Sequence, residues 1–470
     1  MGFMEMRFSN KKSMQYEPSL LQDQELVKSF GKELFKGGVV SDDSSIAVNS
    51  INAPRTLDSK IIYSPYFITP DMSLSFNGDI LAVSERLNWL IQFNNAIMIR
   101  LPEHIFDVGF QYKVISELKL LRNIKFRMAY LNKNFQREEF IDIDQLFNIE
   151  DVTYQGRDNQ VLINREIIKI FKILERDVMP QVKVGVHCIR PNKCEFYNFC
   201  WSKISIGNIH NISGLTSKQV RYLEDNGITN IQNLPDNFKL SKRTLSEIKA
   251  VFRNKPILKR ANIQKWFDTI DSNDAISYLN IETFESAIPL YKNCKPYEVL
   301  PYQYCLLIRN NDSKQFRESS FMAKSTHDPR YQFIKSLISD INSVGPIVVY
   351  KYKMTVTILS NISIVYPEFK NEIDNIIRRC WDLSEPIKSG WYFHHSLTKN
   401  KNLKAVFLSL DNNNLYSNLK ISDSEKASSY YRLIAELPIR KGGQVISELK
   451  EFCYTETLAI IKVFEIFNSM

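Results

Sequence analysis

The sequence of 470 residues has few cysteines and few glycines, and it contains no long apolar run. Seven cysteines are a sparse and odd set, which excludes the disulfide framework of a small secreted protein. The longest apolar stretches, residues 345–350 and 458–467, are too short or too charged for a membrane span of ~20 apolar residues. The N-terminal MGFMEMRFSNKK also lacks the apolar core of a signal peptide. We therefore expect a cytoplasmic protein with no membrane partner.

Several catalytic fingerprints are also missing. The sequence has no Gly-x-Ser-x-Gly, no Walker motif and no dinucleotide-binding fingerprint, which argues against serine hydrolase, P-loop and Rossmann proteins. Apolar residues make up 44% and charged residues 24% of the chain, as in ordinary globular proteins. At ~100–200 residues per domain, the length predicts two or three domains.

Apolar periodicity predicts mixed α/β structure at both ends of the chain. In the first part, strand patterns cover residues 60–68, 79–83, 89–93 and 125–130, and a helical pattern covers 108–121. In the last part, strands are predicted at YLNIETF, PYQYCLLIR and GPIVVYKYKM, and helices at 329–341, 369–381 and 445–467. Strands at the front of a block and a long helix at its end suit an RNase H-like sheet.

Residues 214–235 have a different pattern, with two short helices predicted on either side of Asn226-Gly227. Their shared inner face is formed by six apolar residues, namely Leu215, Val220, Leu223, Ile228, Ile231 and Leu234. The segment resembles a helix-hairpin-helix-type unit, and any small helical connector remains the alternative.

Most of the net charge follows directly after this segment. A helix is predicted to begin at an N-cap Ser241. Between residues 241 and 265, eight basic residues accompany one acid, Glu247, so that +7 of the formal net charge of +9 lies here. The predicted nucleic-acid-binding residues are Lys242, Lys249, Arg253, Lys255, Lys259 and Arg260. Lys242, Lys249 and Arg253 share one helical face, which suits contact with phosphates, although a charge run can also be only a solvated face.

The segment YLNIETFES has part of the arrangement that two-metal phosphodiester cleavage uses. That chemistry commonly takes carboxylates at i and i+2 of one strand, because these side chains share a face. Glu282 is present, and Asn280 stands at i−2. Together with DPRYQF, GPIVVY, CWDL and EFCYTETLAI, this segment resembles an uncharacterised bacterial family of unknown function. Its members combine an N-terminal RecB-type PD-(D/E)XK nuclease domain with a C-terminal DEDD-like, RNase H-fold exonuclease domain.

The resemblance implies that the C-terminal catalytic motif is degenerate. The family's opening Asp-x-Glu corresponds to Asn280 and Glu282, and its later Asn and Glu correspond to Lys351 and Thr355. Three acids remain, and these are Glu282, Asp382 and Glu456. They would form a remnant Mg²⁺ or Mn²⁺ site, or they are ordinary surface and capping carboxylates.

The resemblance implies a degenerate N-terminal motif as well. Asp79 and Gln111 match the family's Asp and helical Gln, while Gln92 and Asn94 stand where Glu-x-Lys is expected. The missing Lys would orient or activate the attacking water. We therefore predict that this domain no longer cleaves nucleic acid.

Three cysteines at intervals of six, Cys188, Cys194 and Cys200, adjoin His187 in GVHCIRPNKCEFYNFCW. In related RecB-type nucleases, three such cysteines join an earlier one to hold an iron–sulfur cluster, for which four thiolates are the rule. No cysteine precedes Cys188 here. The alternatives are a cluster completed by His187 or water, a zinc site of three cysteines and one histidine, and simply buried thiols.

Together these observations predict an α/β protein of three parts. Residues 1–206 would form a RecB-like PD-(D/E)XK domain, 207–268 a basic helical connector, and 269–470 an RNase H-like domain. The function predicted is that of a catalytically impaired nuclease that binds nucleic acid, with DNA and RNA both open. A residual metal-dependent exonuclease using Glu282, Asp382 and Glu456, and a protein-interaction scaffold, are the alternatives.

Overall fold

A computed structural model gives the fold. It describes residues 18–40, 60–84, 87–99, 103–118, 124–176, 180, 182–188, 194–253, 255–270, 274–309, 315–324, 327–398, 400–411, 413 and 415–470. The chain divides into two compact units. The first contains residues 1–183, 189–196 and 286–298, and the second contains residues 184–188, 197–285 and 299–470. The predicted connector, 207–268, thus lies within the second unit.

The first unit is built on a mixed six-stranded sheet in the order β1-β2-β5-β6-β7-β8, beside a small β3-β4 hairpin. Its strands are β1 Val39–Val40, β2 Lys60–Tyr63, β3 Tyr66–Ile68, β4 Ser75–Asn77, β5 Ile80–Val83, β6 Asn88–Asn94, β7 Ile124–Leu131 and β8 Phe147–Asp151. Its helices are α1 Pro18–Leu34, α2 Glu103–Leu118, α3 Ile143–Leu146, α4 Thr153–Asp158 and α5 Gln160–Leu174. β5 pairs antiparallel with β6, and β6 pairs parallel with β7.

Strand β6 is buried on both of its faces. Ile91 and Phe93 pack in a core that includes Val27 of α1, whereas Leu90 packs in a second core with Val108 of α2. Because successive side chains of a strand point to opposite faces, α1 and α2 cover opposite sides of the sheet.

The first unit also incorporates residues 286–298, which follow strand β10 in the chain. Ala287 and Ile288 join the core that contains Val27. The backbone N–H of Ala287 donates to Oδ1 of the buried Asp23 at 3.2 Å. Arg137 donates to the carbonyl of Pro289 at 2.9 Å. Apolar burial and these hydrogen bonds hold the segment in the first unit.

The second unit contains a five-stranded mixed sheet in the order β12-β11-β10-β13-β14, and a small β9-β15 pair. Its strands are β9 Ile257–Leu258, β10 Ile276–Phe284, β11 Leu300–Arg309, β12 Phe316–Met322, β13 Ile347–Val349, β14 Cys380–Asp382 and β15 Tyr392–Phe393. Its helices are α6 Tyr197–Trp201, α7 Ser217–Asp225, α8 Lys242–Arg253, α9 Arg260–Phe267, α10 Arg330–Asp340, α11 Tyr352–Val365, α12 Lys370–Arg379, α13 Glu385–Lys388, α14 Leu403–Leu410, α15 Ser424–Leu433 and α16 Ile439–Asn468.

The central strand β10 directs its alternate side chains to two different layers. Leu279 and Ile281 pack in the core formed with helices α10, α11 and α12. Tyr278 lies on the other face, where its ring meets Phe464 of α16 at a centroid distance of 5.5 Å. Asn280 and Glu282 share the face of Tyr278 by the same alternation, so the sheet directs both toward the layer of α16.

The connector has its own small core. All six residues predicted for its inner face, Leu215, Val220, Leu223, Ile228, Ile231 and Leu234, belong to one apolar cluster. Gly227 follows α7 with φ +72, a conformation that glycine adopts at helix ends at little cost. The predicted N-cap is also present, because Oγ of Ser241 accepts from the N–H of Thr244 at 3.1 Å.

One predicted strand is only partly correct. The segment GPIVVYKYKM forms a strand only at Ile347–Val349, and helix α11 begins at Tyr352. Thr355, Ile358, Leu359 and Ile362 are buried along this helix, and this tertiary burial overrides the strand preference of the aromatic and β-branched residues. No helix among the described residues combines the length and apolarity needed to span a membrane.

Candidate functional site

Two buried carboxylates from distant parts of the chain meet on the α16 side of the second sheet. Glu282 is 1% exposed on β10, and Glu456 is 6% exposed on α16. Repulsion from the charge of Glu282 contributes to the raised pKa of Glu456, which means that the two carboxylates lie close together. The structure therefore brings together two of the three acids that the sequence selected.

A hydrogen-bond network surrounds both carboxylates. Asn280 Nδ2 donates to Glu282 Oε1 at 2.9 Å. Ser424, the first residue of α15, donates to Glu282 and receives a hydrogen bond from Lys351 Nζ at 3.2 Å. The hydroxyl of Tyr416 donates to Glu456 Oε1 at 2.7 Å. Serine, tyrosine, asparagine and lysine side chains thus supply the polar contacts of this site.

Burial changes how these acids titrate. It raises the pKa of Glu282, while the charge of Lys351 and the hydrogen bonds from Asn280 and Ser424 act in the opposite direction. Burial, with repulsion from Glu282, raises the pKa of Glu456 to about 7, against the lowering effects of Tyr416, Lys351 and Lys404. Low dielectric disfavours a charged carboxylate, so Glu456 is only partly ionised at neutral pH.

The third predicted acid, Asp382, has separate partners. It ends β14, and its Oδ1 accepts from the backbone N–H and the hydroxyl of Ser384 at 3.0 and 2.6 Å. Its Oδ2 accepts from Lys388 Nζ at 2.5 Å. Asp382 and Glu456 both raise the pKa of Tyr350, whose shift is caused mainly by burial. Tyr350 therefore lies close to both acids, while the carboxylate of Asp382 is held by Ser384 and Lys388.

This donor set does not fit a pair of divalent cations. Hard cations need several ionised oxygen ligands, whereas Glu282 is bonded to an amide and a hydroxyl and lies under the charge of Lys351. Among the described residues, no group of three or more His, Cys, Asp or Glu side chains is placed to hold a metal ion. Mg²⁺ or Mn²⁺ at Glu282, Asp382 and Glu456 stays a prediction from the resemblance.

In the first unit, Asp79 directly precedes strand β5. Lys28 Nζ of α1 lies 3.1 Å from Asp79 Oδ1, and Asp79 Oδ2 accepts from the N–H of Phe93 at 2.7 Å. A lysine and a backbone amide therefore occupy both oxygens of this carboxylate.

The two predicted glutamines of the first unit contact each other. Gln111 Nε2 on α2 donates to Gln92 Oε1 on β6 at 2.6 Å. Asn94 instead accepts from the N–H of Ala96 at 2.9 Å, at the end of β6. Neutral amides thus replace the acid and the lysine that the nuclease motif would place on this strand.

The three spaced cysteines have different surroundings. Cys188 is buried at the end of a 3₁₀ helix, Val186–Cys188, whereas Cys194 and Cys200 are half-buried. Cys188 and Cys200 belong to the second unit, and Cys194 belongs to the first. An iron–sulfur cluster or a zinc ion at these residues stays a prediction from their spacing.

The basic segment lies on the surface. All six predicted nucleic-acid-binding residues, Lys242, Lys249, Arg253, Lys255, Lys259 and Arg260, are exposed. None of the six forms an ion pair within the part of the chain that the structure describes. Their charges are therefore available to an anionic partner.

Glu247, the one acid of this segment, does not offset these charges at the surface. It is fully buried. Its carboxylate accepts from the N–H and the hydroxyl of Ser213 at 2.7 and 3.1 Å, and from the N–H of Gly214 at 3.1 Å. The positive surface of the segment is thus not balanced by an exposed acid of its own.

Sequence patterns did not indicate Lys28, Ser424 or Tyr416, although these residues define the surroundings of the selected acids. Each lies far along the chain from the acid that it contacts. Lys28 stands in an ordinary amphipathic helix, and Ser424 begins another. No local spacing relates them to Asp79 or Glu282, so only the tertiary structure reveals these contacts.

The second unit therefore carries a buried carboxylate–lysine network on a mixed α/β sheet, and it also contains an exposed basic segment. Residues 277–400, which include Asn280, Glu282, Lys351 and Asp382, match a family model described as Domain of unknown function (DUF2779). A DUF2779 domain is thus present in this chain. No curated protein matches the sequence.

Proposed function

We propose that the protein binds nucleic acid through the exposed basic segment around helices α8 and α9, and that its two nuclease-like domains no longer cleave. The observation that carries the proposal is the set of six exposed lysines and arginines without described ion pairs, whose one neighbouring acid is buried. Clustered cations of this kind neutralise phosphates and release condensed counterions.

The placement of the cations supports contact with a phosphate backbone. Lys242, Lys249 and Arg253 follow one another at seven and four residues along α8, and all three are exposed. Lys259 and Arg260 stand at the start of α9. Charges distributed over two consecutive helices suit an extended polyanion better than a small ligand.

The surroundings of the acids support loss of cleavage. A RecB-like first unit and an RNase H-like second unit are the folds that the family resemblance suggests, and the mixed sheets agree with both. In each unit, a lysine now stands close to the leading acid, Lys28 at Asp79 and Lys351 near Glu282. A fixed positive charge disfavours a divalent cation at the same carboxylate. A residual exonuclease is therefore the weaker candidate.

Binding to labelled DNA and RNA at increasing salt concentration tests the proposal. We expect the logarithm of the binding constant to fall linearly with the logarithm of salt concentration, with a slope of about −0.7 to −0.9 per phosphate neutralised. The triple variant K249E/R253E/K259E should lose most of its affinity. The matched control R440E/K441E/K450E reverses three exposed charges on α16 and should bind almost as tightly as wild type.

An equal loss of affinity in both triple variants would mean that net charge alone determines binding. That result would contradict a specific binding surface around α8 and α9. Absence of binding to any nucleic acid at low salt would contradict the proposal as a whole. A protein-interaction scaffold would then be the better description.

A further inference from the structure

The exposed face of α8 contains apolar side chains as well as cations. Leu245 is 42% exposed and Phe252 is 50% exposed. Neither belongs to the apolar cluster of the connector, in which Ile248 is buried and Val251 packs. The ring of Phe252 makes no contact with another aromatic ring in the described part of the chain. Phe252 is thus not needed for the core of the connector.

Phe252 is a direct neighbour of the cations on this face. Residues three and four apart on a helix lie side by side, so Lys249 adjoins both Phe252 and Arg253. Leu245 adjoins Lys249 from the preceding turn. The face therefore combines positive charges with one aromatic ring that is open to solvent.

This combination favours an unpaired strand over a duplex. The outer surface of a duplex presents phosphates and sugars, and its bases are stacked inside, so an exposed ring gains little there. In a single strand, the bases are free to stack on aromatic rings while the phosphates follow a basic surface. Stacking accepts every base, so little sequence preference is expected.

We propose, building on the proposed function, that the α8 face binds single-stranded nucleic acid, with Lys242, Lys249 and Arg253 contacting phosphates and Phe252 stacking on a base. The shared chemistry is an unpaired polynucleotide, whether DNA or RNA. Leu245 lies on the same face but offers no π surface, which makes it the natural control.

Fluorescence anisotropy with labelled oligo-dT, oligo-rU and a duplex of matched length tests the proposal on the full chain. We expect wild type to prefer at least one of the single strands to the duplex. Removing one stacking ring typically costs about 1–3 kcal/mol, so F252A should weaken single-strand binding by about 5- to 150-fold. F252Y and L245A should bind like wild type, and duplex binding should be unchanged in F252A.

Thermal unfolding of each variant shows that the fold is intact, since exposed substitutions usually shift stability by only about ±0.5 kcal/mol. Equal effects of F252A and L245A, or a preference of wild type for the duplex, would overturn the stacking role and leave the proposed function standing. Loss of binding to all three probes in wild type would overturn both.

Discussion

The side-chain amide of Asn280 donates a hydrogen bond of 2.9 Å to the carboxylate of Glu282, two residues further along the same strand. The two side chains share one face of β10. Where the family resemblance suggests a pair of acids, this chain has an amide that binds the remaining acid directly. The contact stabilises Glu282 without a metal ion.

Divalent cations are expected to have no stabilising effect on the protein. The charge of Lys351 and the hydrogen bonds from Ser424 and Asn280 already stabilise the carboxylate of Glu282. Millimolar Mg²⁺ or Mn²⁺ should therefore leave the melting temperature in a dye-based thermal scan unchanged. The variant E282Q serves as the control for a site-specific effect. A stabilisation of wild type that E282Q abolishes would show that a metal site survives.

Stability is expected to depend on pH through Glu456. The pKa of this acid is 4.5 in an ordinary environment and about 7 here, chiefly because of burial. Between these values the native state holds a proton that the unfolded state has lost, so the free energy of unfolding falls as pH rises. The full loss, reached above pH 7, should be on the order of 3 kcal/mol.

The variant E456Q should show a smaller slope, because glutamine does not titrate and still accepts from Tyr416. It should also exceed wild type in stability at pH 8. Glu282 keeps part of the slope, since its pKa is raised in the same direction. Urea unfolding from pH 4.5 to 8 measures the effect, with E451Q, an exposed change on α16, as control. Identical slopes for wild type and E456Q would refute this role for Glu456.

Glu247 is expected to be essential for the connector. The variant E247A would leave the donors of Ser213 and Gly214 without their buried acceptor, at a cost of at least about 2 kcal/mol. E247Q keeps one acceptor oxygen and should lose less. Guanidinium unfolding compares the three proteins. Equal stability of E247A and wild type would mean that water replaces the carboxylate.

The ion pair between Asp328 and Arg330 in the DPR segment is expected to stabilise the fold. Arg330 is 1% exposed, and its Nε and Nη2 donate to the two oxygens of Asp328 at 3.0 and 2.7 Å. D328A would remove this counter-charge from a buried guanidinium, at a cost of about 3 kcal/mol.

The matched control for D328A is D374A, which removes an exposed i,i+4 pair with Lys370 and should cost below about 0.5 kcal/mol. Chemical unfolding separates the two. Equal losses in both variants would contradict a structural role for the DPR pair.

Local apolar patterns were sufficient to predict a helix or strand where that element buries only one of its faces. The six apolar residues of the connector form its core, and the long C-terminal helix is present, because periods of 2 and 3.6 reflect burial of a single face. The segment GPIVVYKYKM shows where this rule fails. Its residues suit a strand throughout. Helix α11 nevertheless begins at Tyr352, because one face of this helix packs in the core.

Contacts between distant parts of the chain were decided by the tertiary structure alone. The sequence by itself selected the basic segment and its exposure, because residue type and local spacing carry that information, and it selected Glu282 and Glu456 through the family resemblance. It could not indicate that Lys28 pairs with Asp79, that Ser424 donates to Glu282, or that residues 286–298 join the first unit. Each of these depends on which elements pack together, and burial of shared apolar surface determines that packing.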